Sequence, residues 1–233
     1  MNINILIPCY NEEESIKQLY KNLVNFDSEL NINFYILNNG STDTTSLIIQ
    51  QLEETEKVKF LSIVKNEGYG FGVNFGLNEI QKADFVGWFH GDLQFEIENL
   101  KIIYNKISEE YLKNKSLIFF KGVRRGRSFV SNIFSFFMGV IASLLLREKL
   151  YEINAQPTIF SSELINKILN PPNDFSYDTY VFWLARKNKY KLIREKVNFP
   201  NRQFGASKWD FGIWSKLQFS YKNLKYILAL RKQ

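Results

Sequence analysis

Four short apolar runs punctuate the first ninety residues: Ile3 to Ile7, Asn33 to Leu37, Val58 to Val64 and Phe85 to Phe89. Segments of a different rhythm separate them. Ile16, Leu19, Tyr20, Leu23 and Val24 recur at helical spacing, a turn cluster leads into a helix through Leu52, and Val73, Leu77 and Ile80 mark a third helix. Strands alternating with helices need crossover connections. These are right-handed and give a mainly parallel sheet with helices on both faces. The fold class predicted is α/β.

Composition narrows the reading. At 45% hydrophobic residues a packed core is expected and disorder is not. The 233 residues suit one large domain or two small ones, and no linker, repeat or low-complexity stretch divides them. We read 1–233 as a single domain. One cysteine, Cys9, excludes an internal disulfide and suits a reducing compartment. No basic segment with a long apolar stretch opens the chain, so a secretory leader is not expected. The net charge of +6 is concentrated at one end: Arg202 to Gln233 carries seven Lys/Arg against Asp210, and the remainder balances 23 against 23. An anionic surface or ligand is expected there. No zinc-finger, RNP or recognition-helix pattern points to nucleic acid.

The strand ends carry the chemistry. Pro8-Cys-Tyr-Asn-Glu12 closes the first strand, and Glu12 to Glu14 are predicted in the first turn of a helix, where acids match the dipole. In Asn38-Asn-Gly-Ser-Thr-Asp43, Gly40 permits a positive φ and Ser41 or Thr42 is the expected cap. Gly70, Gly72 and Gly76 form G-x-G-x-x-x-G before a helix. A dinucleotide fingerprint belongs after the first strand, not the third, so tight packing and phosphate approach both fit. The fourth strand stops on His90, Asp92 and Gln94. If the segment is extended, these alternate residues converge into a site suited to a divalent cation holding a diphosphate; an Asx-type turn is the alternative.

Lys121-Gly-Val-Arg-Arg-Gly-Arg127 packs four cations into seven residues. We read it as a loop that clamps phosphate or is simply solvated. Ser128 to Leu146 then runs nineteen residues without a charge, a helix of about 28 Å that barely matches a bilayer core. Ser128, Ser131, Asn132, Ser135, Gly139 and Ser143 form a small stripe predicted to pack on the domain. Phe129, Phe136, Phe137, Val140 and Leu144 are predicted to face lipid, a fully buried helix being the alternative. Ile153 to Phe160 reads as extended, Asp178 as the start of a helix, and Leu192 to Val197 as the last strand. From Trp209 on, Phe211, Trp214, Tyr221, Leu224 and Leu228 share a face, with Lys216, Lys222 and Lys225 off it, as in a helix lying on an anionic membrane surface.

Pro8-Cys-Tyr-Asn-Glu12, Asn-Gly-Ser-Thr-Asp43, Asn66-Glu-Gly-Tyr-Gly, Asp92-Leu-Gln94, Lys121 to Arg127 and Arg202-x-x-Gly-x-Ser-Lys208, in this order, resemble the family 2 glycosyltransferases with a GT-A fold. The branch most resembled is that of the dolichol-phosphate or polyprenyl-phosphate sugar synthases. The resemblance implies inverting transfer from a nucleotide diphosphate sugar to a polyprenyl phosphate, with Mg2+ or Mn2+, by a cytoplasmic protein peripheral at the inner face of the membrane. A glycan acceptor, and a nucleotide-sugar-binding module without catalysis, are the alternatives.

In the implied division, 1–120 binds the nucleotide sugar and 121–233 takes the acceptor. Pro8, Tyr10, Glu12, Asn38 and Asn39 line the nucleoside pocket, and the turn at Gly68 passes close to the nucleotide. Asp92 and Gln94 match the end of the metal motif, with His90 in place of its first aspartate. Asp92 and Asp178 are the expected catalytic carboxylates, Asp178 as the base. Arg124, Arg125 and Arg127 match the acceptor-phosphate loop, and Arg202 and Lys208 a loop that closes over phosphate. The chain departs from the family at Asn38-Asn39, usually Asp-Asp, at His90, and near Asn154 to Gln156.

Overall fold

The computed structural model describes residues 1–27, 29–125, 129–198 and 213–231. The elements follow in the order β1 (Ile3–Cys9), α1 (Ile16–Val24), β2 (Ile32–Asn39), α2 (Thr45–Gln50), β3 (Val58–Ile63), α3 (Tyr69–Glu79), β4 (Phe85–Trp88), α4 (Asn99–Asn114), β5 (Ile118–Arg125), α5 (Phe129–Leu146), β6 (Thr158–Ser161), α6 (Ser176–Lys187), β7 (Lys191–Asn198) and α7 (Ile213–Leu230). The seven strands form one sheet in the order β3-β2-β1-β4-β6-β5-β7. All pairings are parallel except those of β6, which runs against both β4 and β5. The expected α/β class and mainly parallel sheet are observed.

Side chains alternate across each strand, so β1 feeds two cores. Ile3, Ile5 and Ile7 pack with Ile16, Leu19 and Leu23 of α1 and with Leu100, Ile103 and Ile107 of α4. Leu6 faces the other way, with Val73 and Leu77 of α3, Val181 and Phe182 of α6, and Ile227 of α7. Within this second core Phe119 lies between Phe160 and Phe182, at centroid distances of 6.0 and 5.2 Å and nearly parallel to both.

Several expected boundaries move, for local reasons. α1 begins at Ile16, not Glu12, because the Glu12 backbone and the Glu13 carboxylate are tied to the start of α2. The Glu12 N–H donates to Thr45 Oγ1 at 2.8 Å, and the Glu13 carboxylate accepts from the Thr44 N–H at 3.0 Å. α2 begins at Thr45, because Ser41 and Thr42 are engaged by Asn11, leaving Asp43 to accept the Thr45 N–H. Gly40 does take a positive φ, 68°. β5 extends to Arg125, so Lys121 to Arg125 belong to a strand and not a loop. Pairing with β7 holds it, through Arg125 opposite Asn198. Residues 152–154 turn, and the extended segment starts only at Thr158.

α5 packs as expected by Gly139 and Ser143, while Ser128 and the side chains of Phe129, Ser131 and Asn132 lie outside the described residues. A Cβ on Gly139 would lie 2.9 Å from the Leu150 carbonyl, and Ser143 Oγ accepts the Leu150 N–H at 2.8 Å. Its other side exposes Phe136 (63%), Phe137 (59%) and Leu144 (75%). No described helix is long and apolar enough to cross a membrane. α7 buries Asn223, Ile227 and Leu230; of the expected face Tyr221 and Leu228 point outward, Leu224 is half-buried, and Phe211 and the Trp214 side chain lie outside the described residues.

Candidate active site

The carboxyl ends of β1, β2, β4 and β5 meet at one edge of the sheet, and the reversed β6 brings its beginning there. Two sequence motifs share a wall. Glu12 Oε2 accepts from Ser15 Oγ at 2.8 Å, and the same hydroxyl lies 3.5 Å from the Gly91 carbonyl. A Cβ on Gly91 would stand 2.4 Å from Cys9 Sγ, so the turn carrying Asp92 rests directly on the end of β1. Burial, then the negative charges of Glu12 and Asp92, push the Cys9 thiol well above its ordinary pKa. The thiol is thus an inert packing group in this wall.

Asn38 and Asn39, where the resemblance would have two aspartates, are held in place. Asn38 Oδ1 accepts the Ser41 N–H at 3.0 Å and its Nδ2 donates to Ser62 Oγ at 3.3 Å. Asn39 Nδ2 donates to the Gly68 carbonyl at 3.3 Å. An aspartate at 39 would set its charge against that carbonyl, so the amide is what this turn requires. Asn39 Oδ1 is buried with no partner among the described residues. The glycines after Asn66 serve packing. A Cβ on Gly68 would meet Asn173 O at 2.2 Å, one on Gly70 Pro172 O at 2.3 Å, one on Gly72 Asn39 Oδ1 at 2.5 Å, and one on Gly76 the Leu6 side chain at 2.5 Å.

The segment after β4 is a turn, not an extension. Leu93 takes φ 59°, and Asp92 Oδ1 accepts the Gln94 N–H at 3.1 Å. Alternation therefore does not make His90, Asp92 and Gln94 converge; the Asx turn is what forms. Among the described residues, no three His, Cys, Asp or Glu side chains gather around one ion position. His90 Nε2 lies 3.2 Å from Gln156 Nε2, and the imidazole ring packs 5.3 Å from the Tyr69 ring. Gln156 is 1% exposed, and its Oε1 has no partner among the described residues.

Behind this wall lies a charged pair that the sequence did not announce. Lys121, expected in a basic loop, is fully buried: its Nζ donates to Thr158 Oγ1 at 2.6 Å and stands 3.5 Å from Asp178 Oδ1. Asp178, the expected base, is 2% exposed. Tyr69 completes the group. Its hydroxyl accepts the Trp88 Nε1–H at 2.8 Å, and its ring stacks on Phe175 at 4.5 Å. Burial and then the Asp178 charge raise the Tyr69 pKa well above the phenolic value. Of the expected phosphate contacts, Arg124 pairs with Glu152 Oε2 at 3.1 Å and Arg125 is exposed; Arg127, Arg202 and Lys208 lie outside the described residues. Arg194, not singled out in the sequence, packs its guanidinium 4.7 Å from the Tyr151 ring.

Burial lowers the Lys121 ammonium from 10.5 to about 8, against the opposing pull of Asp178. Between those values the unfolded chain binds more protons than the folded one, so this residue's contribution to stability rises with pH. The penalty is present in full below about pH 8 and gone above 10.5. Urea unfolding of wild type and Lys121→Met should therefore diverge in favour of wild type by on the order of 3 kcal/mol from pH 7.5 to 10.5. A constant difference would refute the assignment.

Known proteins share this architecture. The profile of Glycosyl transferase family 2 matches residues 4–135. CsbB of Bacillus subtilis, whose assignment as a glycosyltransferase is itself provisional, is 27% identical over 96% of this chain, which spans 68% of CsbB. The undecaprenyl-phosphate 4-deoxy-4-formamido-L-arabinose transferase of Proteus mirabilis is 21% identical over 90% of this chain, which spans 63% of that enzyme. The crystal structure of glucosyl-3-phosphoglycerate synthase from Mycobacterium tuberculosis, in complex with Mn2+, UDP and glucosyl-3-phosphoglycerate, superposes with a TM-score of 0.73. It covers 99% of this chain and 79% of its own at 14% identity, a likeness of fold. With the family's profile matching more than half of the sequence, and its strand-end motifs assembled at one sheet edge, this chain belongs to glycosyl transferase family 2.

Proposed function

We propose that the protein is an inverting glycosyltransferase that moves a sugar from a nucleotide diphosphate sugar to a polyprenyl phosphate, working from the cytoplasmic surface of the membrane. The observation that carries this reading is the chain's path after the sheet edge. β5 ends on Arg124 and Arg125, and the chain goes on into α5, whose Phe136, Phe137 and Leu144 stand exposed. A phosphate-binding edge leading into an aromatic, uncharged helix face suits an acceptor with an anionic head and a lipid tail. The outward Tyr221 and Leu228 of α7, with Lys222 and Lys225 exposed beside them, suit an anionic membrane surface.

Pro8, Tyr10, Glu12, Asn38, Asn39 and Gly68 form the donor side in this reading, with a nucleoside lying over the ends of β1 and β2. The donor set fits Mg2+ or Mn2+ carried mainly by the diphosphate, since such an ion is ordinarily held by one or two carboxylates plus substrate phosphates. Asp92 supplies the carboxylate, with Gln94 beside it. In the orientation described, His90 Nε2 accepts from Gln156 and the imidazole is spent. Turning that amide over, so that the unpartnered Oε1 accepts the Nε2–H, frees Nδ1 as a ligand. A bound cation would neutralise charge on the departing diphosphate. Arg124, Arg125 and Arg127, with Arg202 and Lys208, hold the acceptor phosphate in line with the anomeric carbon.

The test is radiolabelled transfer from a panel of UDP- and GDP-sugars, with Mn2+, to a short polyprenyl phosphate in vesicles containing phosphatidylglycerol. Label in the organic extract is expected. Tight nucleotide binding without transfer, or transfer to glycans alone, would overturn the reading. In the same vesicles the double replacement Phe136→Ser and Phe137→Ser should weaken sedimentation with lipid by about 30-fold, about 2 kcal/mol, as expected if each ring buries roughly half its surface in lipid.

A further inference from the structure

We infer that Lys121 and Asp178 form a buried positioning pair that sets the acceptor wall, and that Asp178 is therefore not the group that deprotonates an acceptor. The inference rests on the glycosyl transfer proposed above and deepens it.

The geometry makes Asp178 a tie rather than a base. It lies in the first turn of α6, shut off from solvent. Lys121 from β5 faces one of its oxygens at 3.5 Å, and the same ammonium binds Thr158 of β6. The Tyr69 hydroxyl at the start of α3 accepts the Trp88 Nε1–H, and the nearby Asp178 charge helps to raise its pKa. One carboxylate thus fastens α6 to β5 and, through the lysine, to β6. Tyr69 passes this order to the surface of the cleft by its stack on Phe175 and its contact with His90. His90 closes the circuit through Gln156, two residues before Thr158. A carboxylate shut off from solvent and facing an ammonium is engaged within the fold. A base must also reach the proton that it removes.

An anionic acceptor needs no such group. A phosphate oxygen uses a lone pair to bond the anomeric carbon, and the bond from that carbon to the donor diphosphate breaks. Its electron pair leaves with the nucleoside diphosphate, and no proton moves. A hydroxyl acceptor would have to surrender a proton, and the buried pair is poorly placed to take it.

A double-mutant cycle tests both parts on the full chain, with transfer to polyprenyl phosphate and thermal unfolding as readouts. Lys121→Met and Asp178→Asn each remove one partner and should each lower Tm. Each should cut kcat/KM by about 10- to 100-fold, chiefly through KM for the acceptor. The double variant should recover most of both losses, to within about fivefold of wild type in kcat/KM, because neither charge is then left unpaired. If Asp178 deprotonates the acceptor, the double variant will regain its Tm yet remain about 10³-fold slow in kcat, and the inference falls.

Tyr69→Phe adds a variant that keeps the ring stack. With the hydroxyl that accepts the Trp88 Nε1–H gone, a positioning role predicts a roughly tenfold rise in acceptor KM, and an unchanged acceptor KM would count against it. Wild-type protein that transfers to no acceptor would sink the proposed function and the inference about deprotonation with it. The Tm cycle would then still decide whether the pair is coupled, additive losses counting against it.

Discussion

Asp92→Asn should slow sugar transfer by about 10³-fold, a loss of about 4 kcal/mol of transition-state stabilisation, with the fold intact. Asp92 does two things that this substitution separates. Oδ1 holds the Gln94 N–H and so shapes the turn after β4; asparagine has the same oxygen and keeps the turn. The negative charge is what a divalent ion would need, and asparagine removes it. Tm should therefore shift by no more than about 2 °C, the effect of a few tenths of a kcal/mol in a chain of this size, while kcat with Mn2+ collapses. Asp92→Ala should lose the turn as well and fall in both measurements. An asparagine variant with full activity would remove Asp92, and with it the diphosphate-side reading of this edge, from the chemistry.

Gly70→Val should destabilise the protein by about 3 kcal/mol, lowering Tm by about 9 °C. The Gly70 N–H donates to the Asn173 carbonyl at 2.8 Å. A Cβ there would meet the Pro172 and Asp174 carbonyls at 2.3 and 2.6 Å and Tyr177 Cβ at 2.8 Å. Two of these three atoms are backbone, so no rotamer relieves the clash; α3 and the start of α6 must part. Asp178 lies in that first turn of α6, so the substitution should also weaken acceptor binding. Chemical denaturation reads the first effect. A variant as stable as wild type would show that the loop at 172–174 yields freely.

These glycines also show what a sequence discloses and what it withholds. Their pattern permitted packing or phosphate approach, and only the neighbours at 2.2 to 2.6 Å give each a packing partner. The four early strands were legible because a buried parallel strand is a continuous apolar run, and the polar clusters that end β1, β2 and β4 marked one edge of the sheet. Lys121 was misread for the same reason. A cation after Ile118, Phe119 and Phe120 looks like the end of a strand, and the partner that lets it stay buried, Asp178, is 57 residues away. The contact between His90 and Gln156 spans 66 residues and leaves no local trace. The acids of Glu12 to Glu14 suited a helix dipole by rule, but Thr44 stood close enough to claim the Glu13 carboxylate and Thr45 the Glu12 backbone N–H.

The reversal of β6 has a consequence for how such an enzyme diversifies. Because β6 enters the sheet against the direction of its neighbours, the leader at 147–157 hangs over the working edge while its strand stays locked between β4 and β5. That segment can vary only between its anchors, because Leu150, Ile153 and Ala155 are buried in the core and Ser143 holds the Leu150 N–H, so a relative's version grafted there must keep those three apolar positions.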